Sequence, residues 1–208
     1  LMIDSRSGIY KLGLFDRNRA GIADLAACPQ MSPRLEEWLR EFRRIPVPVK
    51  RGSVRLRVSP SGRKGVWLDL ANIDVKALLD ERTTLEALRT HAVVEIGQRR
   101  KRLVERDGAL KLADPVLEPW FETYANDELT ISDEDLVASK PRGDLGNIDD
   151  ETTIPLYCTI GSFTQPGFVA NRALVRVVRH QIARTGARHA AEFGSGIGNF
   201  TLPLAAST

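Results

Sequence analysis

Three glycines at alternate positions, Gly194, Gly196 and Gly198 in the stretch AEFGSGIGNF (191–200), constrain this chain more than any other feature. Glycine reaches left-handed backbone conformations without steric cost, so three in five residues mark a tight turn whose backbone a ligand can approach. RHAAEF before them reads as a short strand, and the residues after them as the start of a helix, the setting of a cofactor-binding turn. A dinucleotide site needs G-x-G-x-x-G. Counted from Gly194 the last position is Asn199, and counted from Gly196 it is Thr201, so that fingerprint fails on spacing. A tight strand-to-helix turn with no ligand stays open as the alternative.

Length and composition set the surroundings of this turn. A chain of 208 residues has room for one or two domains with a sizeable core. Its 42% hydrophobic and 27% charged content is that of a soluble globular protein, and no apolar run approaches the ~18 residues of a membrane span. The first residues, LMIDSRSGIYKLGLF, lack the pattern of a secretory signal. The expectation is a cytoplasmic monomer with no membrane partner. Cys28 and Cys158 have no C-x-x-C spacing, so neither a disulfide framework nor a metal site is expected. A net charge of +3 permits a nucleic-acid partner without demanding one. Positive charge collects in REFRR, KRGSVRLR, GRKG and GQRRKR, while residues 127–151 are acidic. In the basic run Arg99, Arg100, Lys101 and Arg102 are candidate phosphate contacts, and the plain alternative is a solvated strand end.

Along the chain, YKLGLFD and AGIADLAACP read as two strands around a polar turn. In SPRLEEWLREFRR, Ser32 suits the N-cap, Pro33 the first helical position, and Leu35, Trp38, Leu39 and Phe42 share one face; Pro46 and Pro48 end the helix. SVRLRVSPSGRKGVWLDL alternates on both sides of a turn and predicts a hairpin with Arg55 and Arg57 outward. NIDVKALLDERTTLEALRTH predicts two short helices, the second opened by a Thr83-x-x-Glu86 capping box. Strands follow on both sides of Asp107-Gly108. Residues 126–153, acidic and punctuated by Gly and Pro, read as a surface excursion. Then TIPLYCTIGSF predicts a strand, and FVANRALVRVVRHQIARTG a helix with Leu174, Val177, Val178 and Ile182 facing the core and Gly186 at its end.

The turn, with Glu192 before it, also fits the acid-x-G-x-G-x-G pattern of class I methyltransferases that use S-adenosylmethionine (SAM). Taken with GSFTQPGFVANRALVRVV and GNFTLPLA, the chain resembles the SAM-dependent RNA uracil-5 methyltransferases, which make 5-methyluridine in tRNA and 23S rRNA. Phe163, Gln165, Asn171 and Ala173 to Val175 match one segment of that family, and Gly196 and Gly198 to Ala205 the other. IADLAACPQMSPRLEEWL is similar to its central-domain segment, whose cysteine, at the position of Cys28, is the last ligand of a [4Fe-4S] cluster in one branch. The other three ligands would precede Leu1, so a cluster in a longer protein stays open and this chain does not support one. Departures are Glu192 for the usual Asp, Gly194-Ser195 for a hydrophobic-Cys pair, and Pro166-Gly167 after the glutamine.

The resemblance implies an α+β central domain over 1–125, the acidic excursion over 126–153, and over 154–208 the beginning of a class I, Rossmann-like α/β, SAM-dependent methyltransferase domain. It implies SAM held by Gln165, Glu192, Gly194, Gly196, Gly198 and Asn199, and a tRNA or rRNA substrate. The family's nucleophilic cysteine and late glutamate base have no match here, so no catalytic residue is assigned. The 208 residues are expected to be a fragment, inactive alone. The alternative is a non-catalytic RNA-binding or accessory module that keeps the loop as scaffold.

Overall fold

The computed structural model describes residues 1–5, 9–18, 20–45, 47, 51–69, 75–97, 100–124, 153–165 and 167–206. Arg99, Pro46, Pro48, Pro166 and all of the acidic excursion but Thr153 lie outside the described residues. The chain divides into two compact units, Leu1–Trp120 with Cys158–Ser162, and Phe121–Tyr157 with Phe163–Thr208. Among the described residues no helix is long and apolar enough to cross a membrane.

The first unit is built on eight strands: β1 (Met2–Asp4), β2 (Lys11–Phe15), β3 (Ile22–Asp24), β4 (Arg51–Val58), β5 (Lys64–Asp69), β6 (Val93–Ile96), β7 (Lys101–Arg106) and β8 (Ala109–Ala113). Their order in the sheet is β3-β2-β1-β4-β5-β6-β7-β8. Neighbours are antiparallel except β5 and β6. A parallel pair needs a crossover, and α2 (Val75–Asp80) and α3 (Arg82–His91) provide it. At the β7–β8 turn Asp107 and Gly108 both have positive φ, 56° and 70°, as a two-residue hairpin of the type that matches strand twist requires.

Helix α1 (Pro33–Phe42) forms as its spacing predicts: Ser32 Oγ accepts from the Leu35 N–H, Pro33 opens the first turn, and Trp38, Leu39 and Phe42 are buried. Trp38 packs edge-on to Phe42 at 5.8 Å and donates its indole N–H to the Gly65 carbonyl at 3.0 Å. These side chains join Ile3, Leu12, Val54, Val66, Leu68, Leu85, Leu88, Val94, Ile96 and Leu103 in one core.

Two expectations fail here. The Thr83 capping box does not form: α3 begins two residues earlier, behind Glu81, which makes no side-chain cap bond, and Glu86 pairs instead with Arg82 one turn back. Arg57 does not point to solvent either. It is 8% exposed, because Cys158–Ser162 covers this face of β4: Arg57 donates to the Ser162 carbonyl at 2.8 Å, and Arg55 to the Gly161 and Ser162 carbonyls. Alternation identifies the second face of a strand but not what lies over it.

Strands β9 (Glu118–Tyr124) and β10 (Thr153–Cys158) form a two-stranded sheet, and the division between the units falls within both. The second unit carries α4 (Phe168–Thr185), ended by Gly186 at φ 63°, and the short α5 (Thr201–Ala205). The buried face of α4 is not the expected one. Leu174 is 45% exposed, Val177, Val178 and Ile182 are half-buried, and Asn171, Arg172, Val175 and Arg179 are buried. Asn171, Val175 and Arg179 recur every four residues, so the helix is turned to bring polar side chains inward, where they have partners. RHAAEF forms no strand; Arg188 to Phe193 are exposed. A strand needs a neighbour for its backbone groups, and nothing among the described residues is laddered to this one.

Candidate functional site

The glycine turn has the backbone that its composition requires. Gly194, Gly196 and Gly198 have φ of 77°, 59° and 85°, all in the region where a side chain is strained. A Cβ at Gly194 would meet nothing within 4 Å, and at Gly196 only the Gly194 carbonyl oxygen at 3.9 Å. Conformation rather than crowding therefore demands glycine at these two positions. They are also exposed, so the turn presents bare backbone on an open side. The Gly198 N–H closes the turn on the Ser195 carbonyl at 2.9 Å, and the Gly198 carbonyl accepts from the Leu202 N–H at 3.1 Å.

Asn199, directly after the third glycine, anchors the turn. It forms a reciprocal amide pair with Asn171 of α4, donating at 2.8 Å and accepting at 3.0 Å, with both residues buried. Its carbonyl accepts from the Thr123 hydroxyl of β9 at 2.7 Å, a second buried bond. Inside a protein such a network is strong when complete and costly when broken. Glu192 is exposed, and its carboxylate accepts from the Thr201 hydroxyl across the turn.

Of the residues read from sequence as a cofactor site, Glu192, Gly194, Gly196, Gly198 and Asn199 therefore lie on one continuous loop. Gln165 is half-buried in the segment before α4. Sequence reading did not assign Asn171 and Thr123 to the site. Asn171 carried a signal, a carboxamide inside an otherwise apolar-patterned helix; Thr123, one polar residue in a strand, carried none.

The basic run is less free than its composition implies. Arg99 lies outside the described residues. Arg100 is exposed, with φ 48° in a turn. Lys101 pairs with Asp114, whose carboxyl it holds below the usual carboxylate range. Arg102 donates to Glu118 at 2.9 Å.

Neither cysteine has the surroundings of a nucleophile. Cys158 is 2% exposed on β10, with Arg57 Nη1 3.3 Å from its sulfur. Burial pushes its thiol up, and the Arg57 charge only partly offsets this; a thiol held protonated is inert. Cys28 is half-buried and unpaired. Among the described residues no three His, Cys, Asp or Glu side chains are grouped to hold a metal ion.

No family model matches the chain. Over 196 residues, 94% of its length, it is 43% identical to an uncharacterized RNA methyltransferase of Bdellovibrio bacteriovorus. This chain is similar to an RNA methyltransferase. It spans 44% of that relative's length, so the match bears on less than half of the relative.

Proposed function

We propose that these residues belong to an RNA methyltransferase that uses SAM and methylates carbon 5 of a uridine in tRNA or rRNA. The observation that carries this reading is the glycine turn, left-handed at all three glycines and open to a ligand, in a chain 43% identical to an RNA methyltransferase. The GNFTLPLA run that contains it supports the uracil-5 assignment by resemblance. The same proposal includes the arrangement of an α+β domain followed by the start of a Rossmann-like domain.

The residues present fit a nucleoside cofactor. The exposed Gly194 and Gly196 peptide units and the exposed Glu192 carboxylate offer donors and an anionic acceptor at one place. Gln165, Glu192, Gly194, Gly196 and Gly198 would hold SAM, which when bound supplies an electrophilic methyl group. Asn199 would act through the backbone, because its amide is engaged by Asn171 on both its nitrogen and its oxygen. Carbon 5 of uracil is a weak nucleophile until a thiolate adds at carbon 6. Cys158, buried and protonated, does not meet that need, so these 208 residues are expected to be silent on their own.

The test is to incubate the complete gene product and the 208-residue chain separately with labelled SAM and unmodified tRNA and rRNA, then digest the RNA to nucleosides. Labelled 5-methyluridine from the gene product alone is the expected result. Label in another nucleoside would remove the uracil-5 assignment and keep the methyltransferase. No label from either protein would favour an accessory RNA-binding module, and label from the 208-residue chain would mean that the chemistry lies within it.

A further inference from the structure

The first unit contains a polar groove of about 410 Å³ lined by Arg63, Lys64, Arg89, His91, Arg102 and Glu105, together with the backbone between them. It opens where two strands part. The β6–β7 ladder comprises Glu95↔Arg102 and Ile96↔Lys101, and the next positions, Val93, Val94, Leu103 and Val104, line the groove. Beyond Arg102, β7 stays laddered to β8 as far as Arg106↔Ala109.

The charges around this opening are ordered. Glu118, 16% exposed and not part of the lining, accepts from Arg63 at 3.0 Å and from Arg102 at 2.9 Å. Glu41, likewise outside the lining, holds Lys64 at 2.6 Å. Arg89 pairs with Glu105 at 3.1 Å at the rim. Four paired cations thus line the groove with one carboxylate: Glu118 and Glu41, outside the lining, hold Arg63, Arg102 and Lys64, and Glu105 holds Arg89. Arg63 is braced further by the Trp120 ring, 5.9 Å from its guanidinium carbon. Guanidinium groups held in place lose little freedom when an anion binds, and their planar donor edges match phosphate oxygens.

We propose that this groove holds the sugar-phosphate backbone of an RNA strand, with phosphates against Arg63, Arg89 and Arg102. The choice of RNA over another polyanion rests on the RNA methyltransferase reading; the anion site rests on the groove. Of the described basic residues 100–102, only Arg102 lines the groove.

The probe is an unstructured RNA oligonucleotide, bound to the 208-residue chain over a range of salt concentrations. Loss of two contacts in R63Q/R89Q should weaken binding to all sequences alike and make the slope of log K against log salt shallower by about 1.4, at roughly 0.7 per phosphate on a single strand. R63K/R89K should retain most of the slope. K101Q/K111Q removes two positive charges outside the groove and should change it much less. Should R63Q/R89Q not fold, R89Q alone, which breaks only a rim pair, should shift the slope by about 0.7. An unchanged slope in a folded glutamine variant, or an equal change in K101Q/K111Q, would overturn the groove. So would polyglutamate competing as well as RNA at equal charge, which would make the ligand an acidic peptide. Methyl transfer by the gene product with an unchanged slope sinks the groove alone; a lost slope without methyl transfer sinks the enzyme reading alone.

Discussion

In the first unit Trp38, Leu39, Phe42, Leu85 and Leu88 are completely buried beneath α1 and α3, whereas in the second the long helix α4 buries Asn171, Arg172 and Arg179 and leaves Leu174 45% exposed. The contrast extends to the loops: Phe193, at the edge of the glycine turn, is 96% exposed. The first unit is held by apolar area removed from water, which accumulates over many residues and tolerates local change. Among its described residues the second adds buried polar bonds between Thr123, Asn171 and Asn199, each of modest net value but costly to leave half-made. A turn proposed to hold a cofactor would gain from such bonds, because hydrogen bonds fix a backbone in one position more sharply than apolar contact does.

Substitutions at five positions would break or sharpen this contrast. The largest effect is expected from Gly196→Val in the complete protein, which places a branched side chain at φ 59°, on the face that the proposed cofactor would approach. Binding of SAM measured by calorimetry should vanish; near-normal affinity would show that the loop is not the site. Next, Trp38→Ala should cost about 3–5 kcal/mol in urea unfolding, from lost burial and the orphaned Gly65 carbonyl. Leu174→Ala, an equally conventional truncation on α4, should stay within about 0.5 kcal/mol. Similar losses at the two positions would erase the distinction between the units.

Asn171→Ala strands the Asn199 amide and should cost about 1–3 kcal/mol. It should also raise the KM for SAM in the complete protein more than it lowers kcat. Asn171→Gln, which keeps a carboxamide, should restore part of the affinity, and equal effects of the two substitutions on stability and KM would reduce Asn171 to packing.

The smallest effect concerns pH. Burial pushes the Glu95 carboxyl above its ordinary value of 4.5, although the Ile160 and Gly161 N–H groups and the Arg102 and Arg57 charges act in the opposite direction. Between pH 4.5 and the folded-state pKa, the native protein keeps a proton that the unfolded chain has released. Stability should therefore fall as pH rises through that window and level off above it. Asp24 has the opposite sign: the Arg43 guanidinium holds its carboxyl below its ordinary value of 3.8, so its contribution is lost as pH falls through the folded-state pKa. Unfolding curves of Glu95→Gln should lack the decline that begins near pH 4.5 and keep the acid limb. A decline that persists would assign it to another group.

Much of the first unit was legible because its signals are local. Ser32 and Pro33 start α1 where their chemistry puts them, the Trp38–Phe42 spacing sets its buried face, and Asp107-Gly108 forms the expected turn. The glycine turn was legible for the same reason: a left-handed backbone at alternate residues excludes nearly every other side chain. The capping box lost locally, to a helix start two residues earlier, and the other failed expectations depended on partners distant in sequence. Among the described residues RHAAEF has no laddered neighbour, and the α4 stripe was read from apolar spacing while the helix turned to bury Asn171 and Arg179.

Residue type and spacing alone therefore settled where α1 begins and where β7 turns into β8, and that residues 194–198 form a bare, tight loop. Both follow from steric limits on φ and from periodicity, which act within a few residues. Tertiary structure alone decided which polar groups went inside. Arg57 was covered by a segment about a hundred positions away, Asn171 met Asn199, and the parting of β6 from β7 gathered Arg63, Arg89 and Arg102 from three separate stretches around one groove. A buried polar group persists only where a partner satisfies it, and no local pattern records a partner that arrives from elsewhere in the chain.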